Sequence, residues 1–369
     1  MEVNSLDWRS GRKWLWAGVG LLLSVTLTVG IGGCAHAEGK ESTKSFIAKK
    51  MTNPNGTLAT YLREAESANP ELAAGREALS ESLGFWMQAA LAGNDRAAFE
   101  KGFETLNRYF TADRNYIAWK LSPEGNAEVG TNALGDDLRI IGALLEGAGK
   151  WKGHPEWKTK AKSLTETLLL HSQKNGYLVD FYDFSREEAP DTLALAYVDL
   201  STLKRLVQEE VLHEETYRRY HTLLQEMPDD GVFYPKSYNV VTGEYTYDAS
   251  VNLIDQLMAA IHAGKTNRDQ RALHQFLKQK FKQTGKLFGQ YRRAERTEAV
   301  KYESPSVYGL AIQFALQQGD RPFAEQLYKR MLTLRGRDAR YPGGYVYEAN
   351  THIFDNLLPL LGEYALKKK

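Results

Sequence analysis

Two acidic residues in this sequence stand beside aromatic rings at the predicted starts of apolar helices. Glu81 lies in residues 80–87 (SESLGFWM), and Asp248 follows Tyr247 in a second stretch that is rich in tyrosine. Aromatic rings stack on the faces of sugars, and partial burial raises the pKa of a carboxyl group until it can donate a proton. A pair of carboxyl groups presented in this way suits the hydrolysis of a glycosidic bond.

The two acids can be given different roles. An inverting glycosidase needs one carboxyl group that protonates the leaving oxygen and a second that activates a water molecule. We predict Glu81 as the general acid and Asp248 as the general base, with Asp255 on the same predicted helix as the competitor for the second role. Each acid also has a simpler interpretation, because an acidic residue at a helix start can cap the helix or interact with its dipole.

Further residues are candidates for binding the sugar. Asp136 and Asp137, at the start of another predicted helix, could accept hydrogen bonds from sugar hydroxyls, although the helix dipole also favours acids there. Aromatic candidates, for which core packing is the alternative, are Trp86, Trp119, Tyr197 and Tyr247. Weaker candidates are Tyr182, Tyr308, Tyr347 and Asp355.

The composition excludes several classes of protein. A formal net charge of +1 on 369 residues provides no basic field for nucleic acid. The eight histidines form no pair with the spacing of metal ligands, and no glycine-rich phosphate loop or Ser-His-Asp order stands out. We therefore expect no metal and no cofactor. A polysaccharide is the expected partner, and the chain is expected to be a monomer.

The first 33 residues have the features of an export signal. Arg9, Arg12 and Lys13 precede an uncharged apolar run that ends in Ile-Gly-Gly before Cys34. This ending resembles a bacterial lipobox, in which the cysteine becomes the lipidated first residue of the mature chain, and Cys34 is the only cysteine. Cleavage after Ala37 and an uncleaved membrane anchor are the alternatives. All three place the domain outside the cytoplasm, either anchored to the extracellular face of the cell membrane or secreted.

Helical periodicity must position the candidate residues. Residues 34–56 are polar and predict a flexible tether, and residues 57–369 predict a single catalytic domain. After a short helix at 57–68, apolar helices are predicted to begin near residues 81, 136, 192, 248, 305 and 353. A more charged helix follows each of the first five. Pairing the first helix with the last closes six inner and six outer helices into an (α/α)6 barrel, with an open solenoid as the alternative. A hairpin is also predicted within residues 231–247, with its turn at Thr242-Gly243.

These motifs, in this order, resemble glycoside hydrolase family 8. Residues 80–87 resemble the family's S-E-G-x-x-Y-G-M stretch, residues 137–145 (DLRIIGALL) its D-L-D-I-A-Y-A-L-L helix, and residues 247–249 (YDA) its Y-D-A-x-R element. The match is closer still to the secreted family-8-like hydrolases that Gram-positive bacteria encode beside exopolysaccharide synthesis genes. The resemblance implies an (α/α)6 endoglycosidase that inverts at the anomeric carbon, with Glu81 as its general acid and Asp248 as its general base.

Two departures from the family pattern concern the substrate. An ungapped alignment puts Gly135 where the family's T-D-A-D has its second acid, which leaves that role open between Asp136 and Asp137. The arginine of Y-D-A-x-R is Val251 here. The loss of a guanidinium near the base argues against plain cellulose or chitosan, so we expect a bacterial exopolysaccharide as the substrate.

Two other functions stay open from the sequence. A non-catalytic protein that binds polysaccharide or assists its biosynthesis could have the same fold, although a pure binder has no use for a matched acid and base. A polysaccharide lyase on an α/α toroid usually needs a Tyr or His base with Arg or Lys facing a uronate. No such basic cluster is found at the predicted helix starts.

Overall fold

Nearly half of the residues that the computed structural model describes, which are 41–67, 69 and 72–368, lie in twelve α-helices. They are α1 Thr43–Lys50, α2 Ser80–Ala92, α3 Arg96–Thr105, α4 Leu134–Lys150, α5 Pro155–His171, α6 Leu200–Gln208, α7 Glu214–Glu226, α8 Leu253–Ala263, α9 Arg271–Thr284, α10 Pro305–Gln317, α11 Arg321–Leu332 and α12 Phe354–Lys367. A π-helical turn, Leu106–Phe110, follows α3, and a 3₁₀ turn, Leu195–Tyr197, precedes α6. Within the described ranges, each helix is too short or too polar to cross a membrane.

The helices form a closed double ring. The inner helices α2, α4, α6, α8, α10 and α12 each pack against the next, and α12 packs against α2. The other six helices form the outer layer and bury only one face. Inner helix α10, for example, buries nine of its 13 residues, whereas outer helix α11 buries four of 12. The predicted (α/α)6 barrel is confirmed, and the contact between α12 and α2 excludes an open solenoid.

Glycines let the last two inner helices approach closely. A Cβ atom at Gly309 of α10 would collide with the carbonyl oxygen of Leu358 on α12, and one at Gly362 would lie 2.9 Å from the carbonyl oxygen of Gly309. Any larger residue at either position would therefore push the helix backbones apart. This contact holds α12 in the ring, where it meets α2.

Short strands lie in the segments that lead into the inner helices. They are β1 Ala78–Leu79, β2 Lys120–Leu121, β3 Gln173–Lys174, β4 Tyr177–Leu178, β5 Thr192–Ala194, β6 Ser237–Asn239, β7 Tyr245–Thr246, β8 Ser250–Asn252 and β9 Gln290–Arg292. All pairings are antiparallel, as β1–β2, β3–β4, β8–β9 and the three-stranded sheet β5–β6–β7. The predicted hairpin is confirmed, because β6 pairs with β7 and Gly243 takes a φ of +77° between them.

The inner helices run parallel to one another, because each inner helix is followed by an outer helix that returns the chain. All segments that lead into inner helices therefore lie on one side of the ring, which we call the N-terminal face. The candidate site residues belong to these segments and to the first turns of the inner helices. The N-terminal face is thus where a site can be assembled.

The predicted first helix, 57–68, is wrong. Residues 57–62 are extended and use their amides to pair with distant segments. Thr60 N donates to the carbonyl oxygen of Glu77 at 2.9 Å, and Leu62 N donates to that of Thr351 at 3.1 Å. Ile353 N in turn donates to the carbonyl oxygen of Thr60 at 2.8 Å. Amides that bond across the chain in this way cannot form a helix, although the segment does lie against the start of α12.

Helix α1 takes the place of that missing helix, inside the range predicted as a tether. Ser42 caps it by accepting a hydrogen bond from Ser45 N at 3.2 Å, and Phe46 and Ile47 are fully buried. α1 packs against α12. The tether prediction is therefore wrong from about residue 41 onward, because two adjacent apolar residues are enough to dock a short helix. Residues 1–40, with the predicted signal peptide and Cys34, lie outside the described residues.

Candidate active site

Glu81 lies in the first turn of α2 on the N-terminal face. The chain enters this helix from β1, and Ser80 N donates to the carbonyl oxygen of Trp119 at 3.0 Å. Leu79 is the capping residue and makes no side-chain bond to the helix. The side chain of Glu81 is only 7% exposed. Glu81 is therefore not a helix cap, and its burial on a polar face calls for another explanation.

Arg139 reaches from α4 to this glutamate. Its Nη2 lies 4.0 Å from Glu81 Oε1, and its guanidinium carbon lies 3.9 Å from the centre of the Phe85 ring. The arginine passes over Gly84, where an added Cβ would be 3.1 Å from Arg139 Cδ. Positions 81, 84 and 85 share one face of α2. The spacing of the SESLGF stretch thus makes room for one buried arginine against a carboxyl group and a ring.

Asp136 shares the same arginine. Arg139 Nη1 donates to Asp136 Oδ1 at 3.1 Å, and Ser80 Oγ donates to Asp136 Oδ2 at 2.6 Å. Burial raises the pKa of Asp136 above its ordinary value, while the charge of Arg139 and the hydrogen bonds oppose the rise. The starts of two neighbouring inner helices, α2 and α4, are joined in this way. Glu81 and Asp136 flank a single guanidinium.

Asp137 is bound to a different loop. Its Oδ2 accepts a hydrogen bond from Asn132 Nδ2 at 2.6 Å, and Asn132 Oδ1 accepts one from Tyr182 N at 2.6 Å. Burial raises the pKa of Asp137 well above its ordinary value. Of the two acids that the sequence left open, Asp136 is therefore the one beside Glu81, and Asp137 helps to hold the loop around Tyr182.

Tyr197 covers the start of α4. A Cβ atom at Gly135 would come within 2.6 Å of the Tyr197 ring, so the ring occupies the space that a side chain at position 135 would need. This is the position where the family 8 pattern has an acid. The 3₁₀ turn that carries Tyr197 thus places a half-buried ring beside Asp136 and Asp137. The predicted sugar-binding tyrosine is next to the paired acids.

Asp248 lies ahead of its helix. α8 begins at Leu253 and is capped by Asn252, whose Oδ1 accepts a hydrogen bond from Ile254 N at 2.9 Å. The placement of Asp248 at the helix start is wrong, and so is the capping alternative, because residues 250–252 form strand β8. Asp248 lies between β7 and β8, with Oδ2 3.3 Å from Lys236 Nζ. Its side chain is 38% exposed and thus reachable by water.

Arg293 holds the backbone around Asp248. Its Nε donates to the carbonyl oxygen of Asp248 at 2.9 Å, and its main-chain amide donates to that of Ala249 at 2.8 Å. The guanidinium lies 5.2 Å from the centre of the Tyr247 ring. The three residues of the YDA motif are thereby contacted by one residue, through its side chain and its main-chain amide, although they belong to no regular element.

This arginine compensates for the one that the motif lacks. Val251 is buried and pairs with Tyr291 on the neighbouring strand, and Arg293 follows that strand. The other end of the guanidinium donates to Asp230 Oδ2 at 2.5 Å and to the carbonyl oxygen of Tyr234 at 2.9 Å. A guanidinium is therefore present near Asp248, supplied by the residue that follows β9 instead of by β8. The sequence-based argument that it is lost is wrong.

Asp180 is a site residue that the sequence analysis missed. Its Oδ1 accepts a hydrogen bond from Ala194 N at 2.6 Å, its Oδ2 accepts one from Thr192 Oγ1 at 2.8 Å, and its carbonyl oxygen accepts the amide that begins α4. Burial raises the pKa of Asp180 to about 6, opposed in part by Lys236. Since Lys236 also pairs with Asp248, Asp180 connects the acids of α4 with the segment around Asp248. A lone acid in a Leu-Val-Asp-Phe run gives no signal of this in the sequence.

The two predicted tryptophans do not present their ring faces to the site. Trp86 lines a small space between α2 and α3 with Gly102 and Thr105, so it belongs to the packing between the two layers. Trp119 is 7% exposed, which rules out stacking on a sugar. Its buried Nε1–H, however, has no hydrogen-bond partner among the described residues. An unbonded buried donor is costly, and the described residues provide no explanation for this one.

Two of the weaker candidates have structural roles. Tyr308 is fully buried and donates to Glu303 Oε2 at 2.6 Å. Asp355 accepts hydrogen bonds from Ser304 Oγ at 2.6 Å and Ser306 Oγ at 2.8 Å, which ties α12 to the start of α10. Tyr347, in contrast, is 65% exposed. In the part of the chain that the structure describes, no cluster of His, Cys, Asp and Glu side chains is suited to hold a metal ion.

A comparison with curated proteins finds one relative over nearly the whole length. The chain is 36% identical over 358 residues to "Putative lipoprotein YdaJ" of Bacillus subtilis (strain 168), in an alignment that covers 92% of this chain and 95% of YdaJ. No family model matches the chain.

Solved structures share the fold. A novel α-amylase from Clostridium perfringens has a TM-score of 0.79 at 24% identity and covers 89% of this chain and 97% of its own. Endoglucanase Cel10 from Klebsiella pneumoniae, a family 8 glycosyl hydrolase, has a TM-score of 0.63 at 14% identity, with 88% and 98% covered. A D-mannose isomerase has a TM-score of 0.65 at 12% identity, and the match covers 89% of this chain and 96% of the isomerase chain. The chain thus has the family 8 fold, and its reaction must be argued from its own residues.

Proposed function

We propose that this chain is an extracellular inverting endo-glycosidase that hydrolyses a bacterial exopolysaccharide. The chain belongs to the family of the Bacillus subtilis protein YdaJ, and it has the fold of glycoside hydrolase family 8. Glu81 is its general acid and Asp248 is its general base. The observation that carries this proposal is the buried cluster of Glu81, Arg139 and Asp136 at the starts of two neighbouring inner helices.

The cluster provides what the protonation step needs. Glu81 is shielded from bulk water and lies on the same helix face as Phe85, so its carboxyl group would meet the leaving oxygen in a site from which most water is excluded. Asp136 is fixed by Ser80 and Arg139. A carboxylate offers about four acceptor positions, so Asp136 can still accept a hydrogen bond from a sugar hydroxyl.

The segment around Asp248 carries the carboxylate for the second step, the activation of a water molecule. Its carboxylate is open to water and is oriented by Lys236, while Arg293 fixes its backbone. An inverting mechanism requires room for one water molecule between the base and the sugar, with the two carboxyl groups roughly 6.5–9.5 Å apart. Water activated by Asp248 would then attack the anomeric carbon from the face opposite to Glu81.

The location follows from the first 40 residues. The name of YdaJ describes a lipoprotein, and Cys34 of this chain ends an apolar run after three basic residues. We infer that Cys34 carries the lipid that anchors the domain to the extracellular face of the cell membrane. Cys34→Ala should release the protein into the culture medium, whereas a variant that still fractionates with membranes would exclude the lipid anchor.

The decisive experiment is the release of reducing ends from a panel of purified polysaccharides. The panel should include amylose, carboxymethylcellulose and exopolysaccharides of Gram-positive bacteria, with Glu81→Gln as the inactive control. Endo-cleavage lowers the viscosity of the polymer early in the reaction, and proton NMR of the first product reports whether the anomeric configuration is inverted. Binding without any release of reducing ends would instead support the non-catalytic alternative.

A further inference from the structure

Three tyrosines expose their rings along the N-terminal face. Tyr247 is 47% exposed, Tyr302 is 36% exposed and Tyr347 is 65% exposed. They precede three consecutive inner helices, α8, α10 and α12, which pack side by side. These are three of the six inner helices, and neighbouring helix axes lie about 8–10 Å apart. The three tyrosines are therefore spaced along one half of the N-terminal face. We call this set the tyrosine arc.

Each ring of the arc is supported by its surroundings. The guanidinium of Arg293 lies 5.2 Å from the centre of the Tyr247 ring. Tyr302 packs against Gly289, where an added Cβ would lie 2.5 Å from the ring. Aromatic rings gain free energy from burial, so rings that are held in place and still left open to water are poised to bind a ligand by stacking.

The turn that carries Tyr347 is strained. Tyr347 and Asn350 exchange backbone hydrogen bonds of 3.0 and 2.9 Å across Glu348 and Ala349, whose φ angles are +48° and +59°. A two-residue turn with both φ angles positive strongly favours Asn-Gly, and an ordinary side chain in this conformation costs on the order of 1 kcal/mol or more. Strain of this kind concentrates at ligand-binding sites. Here it holds Tyr347 out from the rim.

Arginines surround the outer end of the arc. Tyr347 lines an open depression of about 620 Å³, whose charged residues are three arginines and two acids: Arg63, Arg337, Arg340, Asp338 and Glu348. Arg340 is paired with Asp338, with N–O distances of 2.9 and 2.6 Å. Arg63 is placed by Asn350, whose Oδ1 accepts the Arg63 amide at 3.1 Å. The hydrogen bond from Arg340 and, to a smaller extent, the charge of Arg63 lower the pKa of Asp338. The sequence does not suggest this cluster, because Arg63 is separated from Arg337 and Arg340 by most of the chain.

We propose that the tyrosine arc and this depression form the outer part of the substrate-binding groove, and that the substrate is an acidic polysaccharide. Sugar rings stack on Tyr302 and Tyr347, and a carboxylate or phosphate group of the polymer receives the paired N–H donors of Arg63. This inference rests on the proposed glycosidase function and names its substrate class. Carboxylate and phosphate groups could both bind to the arginine, so polymers that carry each group are included in the test.

Binding is measured in the Glu81→Gln background, where turnover does not interfere. The probes are carboxymethylcellulose against hydroxyethylcellulose and carboxymethyl starch against hydroxyethyl starch, in affinity gels and by calorimetry, with phosphorylated starch as the phosphate-bearing probe. Whichever polymer the protein binds, cellulose or starch, its charged derivative should bind at least fivefold more tightly than its neutral derivative. This preference should fall as salt is added. Arg63→Gln should remove the preference, and Tyr347→Ala should weaken charged and neutral forms alike.

The controls are variants of exposed residues on outer helices. Arg218→Gln removes an exposed guanidinium from α7, and Leu170→Ala removes exposed apolar surface from α5. Both should leave binding unchanged. Equal binding of charged and neutral polymers by the parent protein, or an unchanged preference in Arg63→Gln, would overturn the inference. If Glu81→Gln releases reducing ends as fast as the wild type, the catalytic assignment fails instead, and the binding result stands by itself.

Discussion

Arg293 Nε lies 2.9 Å from the carbonyl oxygen of Asp248, and the same guanidinium reaches Asp230 and the carbonyl oxygen of Tyr234. The segment that carries the proposed base joins two separate sheets and has no ladder of its own. The side chain of Arg293, just after β9, therefore helps to fix the position of the Asp248 backbone. Arg293 acts on the reaction through Asp248, so we regard it as a positioning residue.

Arg293→Gln should lower kcat with little change in KM. Glutamine cannot make the three-way contact, and a base displaced by about 1 Å can lose on the order of a hundredfold in rate. The loss should be equal with the polysaccharide and with a glycosyl fluoride, because both need an activated water. Arg292→Gln is the matched control, since the side chain of Arg292 bonds to the carbonyl oxygen of Glu298 on the other side of the strand. Full activity of Arg293→Gln with normal folding would contradict the positioning role.

Glu81→Gln and Asp248→Asn should separate the two catalytic steps. Glu81→Gln keeps the shape of the side chain but cannot protonate the leaving oxygen, so it should lose about a hundredfold or more in rate on the polysaccharide. A glycosyl fluoride, whose leaving group needs little protonation, should be partly spared. Asp248→Asn should be inactive on both substrates. If Asp248→Asn keeps its activity, the base is another residue, with Asp255 in the first turn of α8 as the next candidate.

Gly135→Ala should destabilise the protein by about 1–3 kcal/mol, as overpacking usually does. The new methyl group would come within 2.6 Å of the Tyr197 ring. Gly149→Ala is the control, because it lies on the same helix with nothing within 4 Å and should be neutral or slightly stabilising. Thermal unfolding measures both. Combining Gly135→Ala with Tyr197→Ala should recover part of the loss, and a purely additive result would show that the two residues do not press on each other.

Asp180 should make the stability of the fold depend on pH. Its pKa is raised from 3.8 to about 6 by burial, so the folded protein binds this proton more tightly than the unfolded chain does. The group therefore stabilises the fold below about pH 4, and that contribution is lost as the pH rises through about 6. A shift of about two units corresponds to about 3 kcal/mol.

Asp180→Asn removes this titration. Between pH 4 and pH 7 the wild type should lose up to about 3 kcal/mol more of its unfolding free energy than the variant does. Urea unfolding at several pH values measures the difference. The comparison between pH values cancels any constant cost of the amide in the buried site. Parallel pH profiles for the two proteins would show that Asp180 does not titrate in this range.

The sequence by itself determined the ring and one side of its site. Apolar helices rich in small residues recur at a regular distance and alternate with charged helices, and only stacked helical pairs can bury such faces. The spacing of Glu81, Gly84 and Phe85 is a local property, so their place together on one face of an apolar helix follows from the sequence. The hairpin with Gly243 was predictable for the same reason, since turn chemistry acts over a few neighbouring residues.

Only the tertiary structure decided which distant segments meet. Residues 57–62 have helical spacing, but their amides find partners near residues 77 and 351. Phe46 and Ile47 instead dock α1 as the outer helix beside α12. Three arginines each contact residues that are far apart in the chain or on different elements. Arg139 lies between two acids, Arg293 bonds to the backbone of Asp248, and Arg63 lies beside Tyr347. Such contacts depend on how complete helices and strands pack against one another, and no local pattern of residue types encodes that packing.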